Sequence, residues 1–183
     1  MKNIVLILSF SITLTVFGQA YPDSGFTNKA EAKNLVVNGM KEGKWIEYKN
    51  EDWKSTKDTN SSNYELIVYK ADKPYGITRG YAKSKLFYET PYIDGKANGL
   101  QKIFYEDGKV KVVFPCSEGK HNGLAKQYYE SGKLEGEVLY TNGTINGEVK
   151  WYYENGKLQS EITYTNGVKG ATRNYDTNGN EIK

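Results

Sequence analysis

The sequence has few of the residues that build disulfides, metal sites and strongly charged surfaces. Its 183 residues include one cysteine, one histidine and four prolines. A single cysteine cannot form an internal disulfide, and a single histidine is a poor basis for a zinc site. The 25 basic and 22 acidic residues nearly balance, which argues against a nucleic-acid groove and a polybasic membrane patch. We therefore expect no nucleic-acid partner, no metal and no cofactor.

The one long apolar run lies at the N-terminus. Lys2 precedes an apolar stretch over residues 4–17, and small residues follow it. This order is typical of a secretory signal peptide, and the run is short for the alternative, a transmembrane helix. We predict a signal peptide over residues 1–18, with cleavage after residue 18 or 20. The mature chain would then be periplasmic, cell-surface or secreted, and because no cysteine follows the run we do not expect a lipoprotein.

The sequence does contain a repeat of 24 residues. Units that begin at Asn98, Asn122 and Asn146 align without gaps. Each opens with Asn-Gly, continues through a lysine and an aromatic pair to Glu-x-Gly-Lys, and has a further glycine near its end. A fixed period of this size indicates an array of one supersecondary unit. The repeated positions to which we assign a structural role are Gly99, Gly108, Gly123, Gly132, Gly147, Gly156, Tyr105, Tyr129 and Tyr153.

The array extends in both directions with less regularity. Gly76 and Gly95 fit an upstream unit, and residues 43–48 have the repeat spacing from glycine to aromatic residue. A polar run at residues 49–63 indicates an inserted loop, and the polar residues 19–34 indicate a flexible leader. We count about six units over residues 35–183, with degenerate units at the ends, as is usual for capping repeats.

Each unit is predicted to be a β-hairpin. The second half of a unit alternates apolar and polar residues, and the first half is short, aromatic and β-branched. The halves are joined by Asp-Gly, Ser-Gly and Asn-Gly, and Asp-Gly and Asn-Gly tolerate the positive φ of a tight turn. Hairpins side by side give an all-β fold, an elongated single antiparallel meander. We predict strands near residues 100–105, 109–115, 124–129, 133–140, 148–153 and 157–164.

The turn predicts which residues face each other. A two-residue loop at Ser131 and Gly132 would place Tyr129 opposite Leu134 and Lys126 opposite Glu137. One face is then predicted to be buried, and it collects Tyr129, Leu134, Val138, Tyr140, Trp151, Tyr153, Leu158, Ile162 and Tyr164. The other face carries Phe104, Tyr128 and Tyr152, flanked by Lys102, Lys126 and Lys150.

Units of the form Gly-x-x-x-x-Tyr-Tyr-Glu-x-Gly-Lys resemble MORN repeats, and specifically the bacterial variant form of that repeat. The resemblance covers roughly residues 35–183 and implies a single-sheet repeat array. Proteins similar to this are often labelled as antitoxins of toxin–antitoxin pairs, and MORN arrays elsewhere are linked to protein scaffolding and to phospholipid contact. The family has no catalytic motif to carry over.

The residues that could be reactive have simpler structural explanations. Cys116 falls on an inward repeat position, where a buried small side chain is expected, with an intermolecular disulfide as the alternative. His121 is assigned to a solvated turn, so we expect no Cys116–His121 dyad. The glutamates beside each turn are predicted to pair across it with lysine, as Glu130 with Lys133, rather than to hydrolyse glycosides. We predict no catalytic residue.

The ladder of lysines and aromatic rings on the outer face is the best candidate for a binding site. Such a platform can stack sugars or hold an extended peptide, although it could also serve only to stabilise the sheet. The predicted binding residues are Lys102, Phe104, Lys126, Tyr128, Lys150 and Tyr152. We expect an exported, non-enzymatic protein-binding or scaffolding module whose partner is another protein. The alternatives are an antitoxin-like or immunity protein that binds a toxin, and a module that binds a glycan or the envelope surface, with a membrane surface also possible.

Overall fold

The computed structural model describes residues 25–182. The predicted signal peptide and residues 19–24 lie outside this range. Within it, 15 strands form one antiparallel sheet, and the one helical segment is a three-residue 3-10 turn at Lys29–Glu31. None of these residues belongs to a helix that is long and apolar enough to cross a membrane. The predicted all-β, single-sheet hairpin meander is confirmed.

The strands follow one another across the sheet in chain order. The upstream part comprises β1 (Leu35–Val37), β2 (Met40–Lys49), β3 (Asn63–Lys70), β4 (Lys73–Ala82), β5 (Lys85–Ile93) and β6 (Lys96–Ala97). The regular part comprises β7 (Gly99–Phe104), β8 (Val110–Ser117), β9 (Lys120–His121), β10 (Gly123–Tyr128), β11 (Leu134–Thr141), β12 (Thr144–Tyr152), β13 (Leu158–Thr165), β14 (Val168–Tyr175) and β15 (Glu181–Ile182). The short β6 and β9 pair only with β5 and β8. The six predicted strands correspond to β7, β8 and β10–β13, although β12 begins earlier than predicted.

Two kinds of hairpin turn alternate at the two ends of the strands. At one end, both central residues have positive φ, as in Asn142 (51°) and Gly143 (87°), which is the type I′ geometry. At the other end, the Gly132 N–H donates to the Tyr129 carbonyl at 2.8 Å, and the Tyr129 N–H donates to the Lys133 carbonyl at 2.9 Å. These bonds close a three-residue loop with Gly132 at φ 85°. The positive φ predicted for this glycine is confirmed.

The three-residue loop corrects the predicted register beside the turn. Leu134 lies opposite Tyr128, not opposite Tyr129 as the two-residue loop would require. The glycine adds one residue to the loop and shifts the pairing by one. A β-bulge next to Tyr128 then shifts it back, so Lys126 faces Glu137 as predicted.

The most buried side chains lie in the upstream part of the sheet. Leu66 is fully buried, Tyr64 and Val68 are nearly so, and Phe26 packs against them from the segment that precedes β1. The sequence predicts a flexible leader that continues to residue 34, but residues 25–34 lie against the sheet. The reason is that Phe26 covers apolar side chains of β3 that would otherwise face water.

Candidate binding faces of the sheet

The regular part of the sheet has two faces of different composition. Because side chains alternate along a strand, the residues paired between strands assign each side chain to a face. What we call the groove face carries Phe114, Ala125, Val138, Tyr140, Val149, Trp151, Ile162 and Tyr164. What we call the ladder face carries Leu100, Lys102, Phe104, Val113, Leu124, Lys126, Tyr128, Glu137, Leu139, Lys150, Tyr152 and Glu161.

Residues of the groove face line an open, mostly apolar cavity of about 280 Å³. Trp151, Tyr140 and Tyr164 contribute aromatic rings to its lining. The Trp151 ring covers Gly136, its partner on the neighbouring strand, so closely that a Cβ at Gly136 would lie 2.5 Å from a ring carbon. The glycine therefore makes room for the ring, and Val149 is buried beside it.

The structure places only part of the predicted buried set on the groove face. Val138, Tyr140, Trp151, Ile162 and Tyr164 lie there, as predicted. Leu134 and Leu158 do not, because the shifted register pairs them with Tyr128 and Tyr152 on the ladder face. Tyr129 and Tyr153 lie just beyond the ends of β10 and β12, where their hydroxyls donate hydrogen bonds to backbone carbonyls of the next unit.

The second tyrosine of each aromatic pair and the lysine after the turn link one repeat to the next. The Tyr129 hydroxyl donates to the Tyr152 carbonyl at 2.6 Å, and Lys133 Nζ donates to the Glu154 carbonyl at 2.9 Å. Lys133 thus bonds to the next unit and not, as predicted, to Glu130. The same two bonds recur in the neighbouring units, from Tyr105, Lys109, Tyr153 and Lys157.

His121 and Cys116 are direct partners in the β8–β9 pair and lie on the groove face. His121 stacks on Phe114, with ring centroids 4.4 Å apart, and its Nε2 lies 3.3 Å from Gln101 Oε1. The predicted solvated turn is therefore wrong. One repeat later Ile145 occupies the same position, and that alignment could have shown that the side chain faces inward. Cys116 is buried as predicted, and burial raises the pKa of its thiol, which disfavours a nucleophilic thiolate.

A row of alternating charges, which we call the charged row, crosses the ladder face. Lys126 Nζ lies 3.4 Å from Glu137, and Lys150 Nζ lies 3.4 Å from Glu161. The second Glu161 oxygen lies 3.7 Å from Arg173 Nη1. These are the ion pairs that a purely sheet-stabilising ladder would make, and they join β10 to β11 and β12 through β13 to β14.

A row of exposed apolar side chains, which we call the leucine row, runs beside the charged row. Leu100 lies opposite Pro115, and Leu124 lies opposite Leu139. The three leucines are 53%, 41% and 39% exposed. The backbone of Gly147 lies close beside Leu139, where a Cβ would be 3.0 Å from the leucine side chain. Contiguous exposed apolar residues that are bordered by polar ones are typical of interaction surfaces.

The six predicted binding residues share the ladder face and are all half-buried. Lys102 and Phe104 belong to β7, and the two later pairs occupy the same positions of β10 and β12. Sequence reasoning did not include the leucine row next to them. The alternation of Leu100, Lys102 and Phe104 along one strand could have revealed it.

The upstream part of the same sheet carries charges where the regular part has its groove. Glu47 and Glu65 lie directly opposite each other, which is unfavourable for like charges. Lys49 Nζ lies 2.7 Å from Glu65 and 3.5 Å from Glu47. Burial raises the pKa of Glu47, but hydrogen bonds from Lys41 and Tyr69 outweigh this and hold the pKa below its usual value.

The described residues contain no group of His, Cys, Asp and Glu that could hold a metal ion.

Three segments, residues 97–114, 122–142 and 145–166, match the MORN repeat variant family. Residues 97–166 therefore consist of variant MORN repeats. The three matched MORN segments coincide with the β7–β8, β10–β11 and β12–β13 hairpins. MORN repeats are commonly protein- or membrane-binding modules and are typically non-catalytic. No curated protein matches the chain.

Proposed function

We propose that this chain is an exported, non-enzymatic protein-binding module that holds its partner on the ladder face. The observation that carries the proposal is the leucine row, in which Leu100, Leu124 and Leu139 are exposed beside the charged row. Apolar area supplies affinity in such an interface, and the bordering charges supply orientation and specificity. The match of residues 97–166 to the MORN repeat variant family supports a binding role of this kind.

Export is part of the proposal and rests on the N-terminal sequence, in which Lys2 precedes the apolar run. Expression of the full chain followed by cell fractionation tests it. The mature protein should leave the cytoplasm and lack the first 18 or 20 residues by mass spectrometry. A full-length protein that stays in the cytoplasm would contradict export.

An antitoxin-like or immunity role uses the same binding chemistry with a toxin as the partner. A toxin gene beside this one would support that role. Co-expression should then protect cells from that toxin, and the protection should disappear when the leucine row is replaced by serine.

The groove face favours a second candidate function, the binding of a neutral oligosaccharide. Tyr140, Trp151 and Tyr164 line an open cavity of about 280 Å³, and aromatic faces of this kind can stack on sugar rings. Titration of the folded protein with a set of oligosaccharides, followed by tryptophan fluorescence, tests this. Binding that survives in Tyr140→Ala and Tyr164→Ala would exclude the groove as the sugar site.

The decisive experiment for protein binding compares matched surface variants. A Leu124→Ser/Leu139→Ser double variant removes two residues of the leucine row, and Val168→Ser is the control because Val168 is 71% exposed on β14, outside the row. The partner is first captured from the exported fraction with the wild-type protein, and its affinity is then measured. We expect the double variant to lose about tenfold or more in affinity. The control should bind as the wild type does.

Thermal melting checks that both proteins remain folded. A folded double variant with unchanged affinity would contradict the proposal that the ladder face contacts the partner. A Tyr128→Ala/Tyr152→Ala variant in the same assay tests whether the aromatic ladder contributes to the interface.

A further inference from the structure

The charged row has a gap at Val113. Glu137 and Glu161 occupy the same position of successive repeats, 24 residues apart. Counting back one more period from Glu137 leads to Val113, and one period further back to Glu89. The repeat therefore has an acidic residue at this position in three units and a valine in one.

A complete position of the row holds its carboxylate between two basic side chains. Glu161 on β13 lies 3.4 Å from Lys150 on β12 and 3.7 Å from Arg173 on β14. The two bases belong to the strands on either side, directly opposite the glutamate. The protein itself thus shows how this surface binds a carboxylate.

At the gap, the two bases remain and the carboxylate is missing. Val113 on β8 lies directly opposite Lys102 on β7 and Lys126 on β10. Lys102 makes no ion pair with any residue that the structure describes. Glu89 lies opposite Lys102 on its other side, but its carboxylate binds Arg79 at 2.8 Å. The gap therefore lies between Lys102, which has no ion pair among the described residues, and Lys126, which pairs on its other side with Glu137.

We propose that the gap at Val113 receives a carboxylate from the partner protein, an aspartate or glutamate of an extended segment that lies across the ladder face. The inference rests on the proposed function and adds the chemistry of the partner. The leucine row lies beside the gap, two residues away along each strand. Leu100 is two residues from Lys102, and Leu124 is two residues from Lys126. An acidic residue in the gap would thus place apolar neighbours at the leucine row, because side chains of an extended chain alternate with the same period.

A protein segment fits this surface better than an anionic membrane does. Recognition of anionic lipid generally uses a cluster of about four to eight basic residues, and the gap presents two. The equivalent positions of the row hold carboxylates between their bases, which favours the same group at the gap.

The first test needs no partner. Val113→Glu restores the acidic residue of the repeat, and Val113→Gln is a control of nearly the same shape without the charge. If Lys102 and Lys126 are placed to hold a carboxylate, the glutamate variant should melt about 2–4 °C above the glutamine variant at low ionic strength. The difference should disappear in about 1 M salt, where exposed charges are screened. Equal melting temperatures at low salt would overturn the carboxylate site.

The second test uses a synthetic peptide of the sequence Leu-Thr-Glu-Thr-Leu and a matched peptide with glutamine in place of glutamate. The wild-type protein should bind the acidic peptide about tenfold more tightly by fluorescence anisotropy. Val113→Gln should keep this preference and Val113→Glu should lose it. Equal or absent binding of the two peptides would overturn the proposal. So would binding to anionic lipid vesicles that Val113→Glu abolishes while the peptides show no preference.

The two proposals can fail separately. If the natural partner is insensitive to the leucine-row variants while the acidic peptide still needs Val113, the carboxylate site stands and the proposed partner face is wrong. If the leucine-row variants lose the partner and Val113→Glu keeps it, the face stands and the carboxylate does not belong to that partner.

Discussion

The upstream and regular parts belong to one sheet but are stabilised in different ways. The upstream part has a small core in which Phe26 and Leu66 are buried against each other, together with a partly buried network around Glu47 and Lys49. The regular part has fewer buried residues, among them Ala125 and Val149. Its units are joined instead by the same few bonds in each repeat.

The difference shows how a single layer of sheet can be stable with both faces open. A repeat unit that bonds only to its neighbours needs no second layer if every boundary carries the same contacts. The upstream part, where the N-terminal segment covers one face, acts as a conventional small core. This arrangement leaves the regular repeats free to present the leucine row and the groove.

The largest expected effect comes from the upstream core. Leu66→Ala should lower the free energy of unfolding by about 3 kcal/mol, because Leu66 is fully buried and its truncation leaves a cavity. Leu124→Ala is the control in the regular part and should cost less than about 1 kcal/mol, since that side chain is 41% exposed. Urea denaturation measures both. Equal losses would mean that the upstream part is not a distinct core.

The next effect tests the packing of the groove face. Gly136→Ala should destabilise by about 1–3 kcal/mol, because its Cβ would lie 2.5 Å from the Trp151 ring. Gly132→Ala has open space around its Cβ but a φ of 85°, so we expect about 1 kcal/mol from backbone strain alone. Thermal melting of the two variants shows which one loses more stability. A Gly136 variant more stable than the Gly132 variant would contradict the described ring position.

A smaller effect should come from the links between repeats. Tyr129→Phe removes the hydroxyl that donates to the Tyr152 carbonyl and should cost about 1 kcal/mol. Tyr128→Phe is the matched control, because the Tyr128 hydroxyl makes no hydrogen bond with the residues that the structure describes. Denaturant unfolding of both variants measures the difference. If the control loses as much stability, the hydroxyl bond is not what joins the repeats.

The smallest effect is a pH dependence that arises from Glu47 and Lys49 in the upstream part. Folding lowers the pKa of Glu47, so its contribution is present above the usual value of 4.5 and is lost as pH falls through the lower folded pKa. Burial lowers the pKa of Lys49, but its contacts with Glu65 outweigh this and raise it, so that contribution is lost only as pH rises above 10.5. As pH falls below about 4.5, the protection of backbone amides against hydrogen exchange, corrected for the pH dependence of the intrinsic exchange rate, should therefore decrease in β2 and β3. A Glu47→Gln variant should flatten this change, and an unaltered pH profile in that variant would contradict the assignment.

The class of fold and most of its local structure could be predicted from the amino-acid sequence. The 24-residue period, the alternation within each unit and the glycines at the turns predict hairpins in chain order, and β7 to β13 follow that order. These are local properties, because a strand alternates and a turn needs positive φ whatever lies around it. The positions of the candidate binding residues on one face follow from the same alternation.

Three features depend on contacts between distant parts of the chain and could not be predicted from local sequence. They are the pairing next to the turns, the links between repeats and the packing of Phe26 against the sheet. A third loop residue at Gly132 changes which side chain Tyr128 faces, and local sequence permits either loop length. Tyr129 meets the Tyr152 carbonyl and Phe26 meets Leu66 because the sheet brings distant parts of the chain together. The charged row and its gap at Val113 could be read from the period, but only the pairing of β7, β8 and β10 places Lys102 and Lys126 on either side of it.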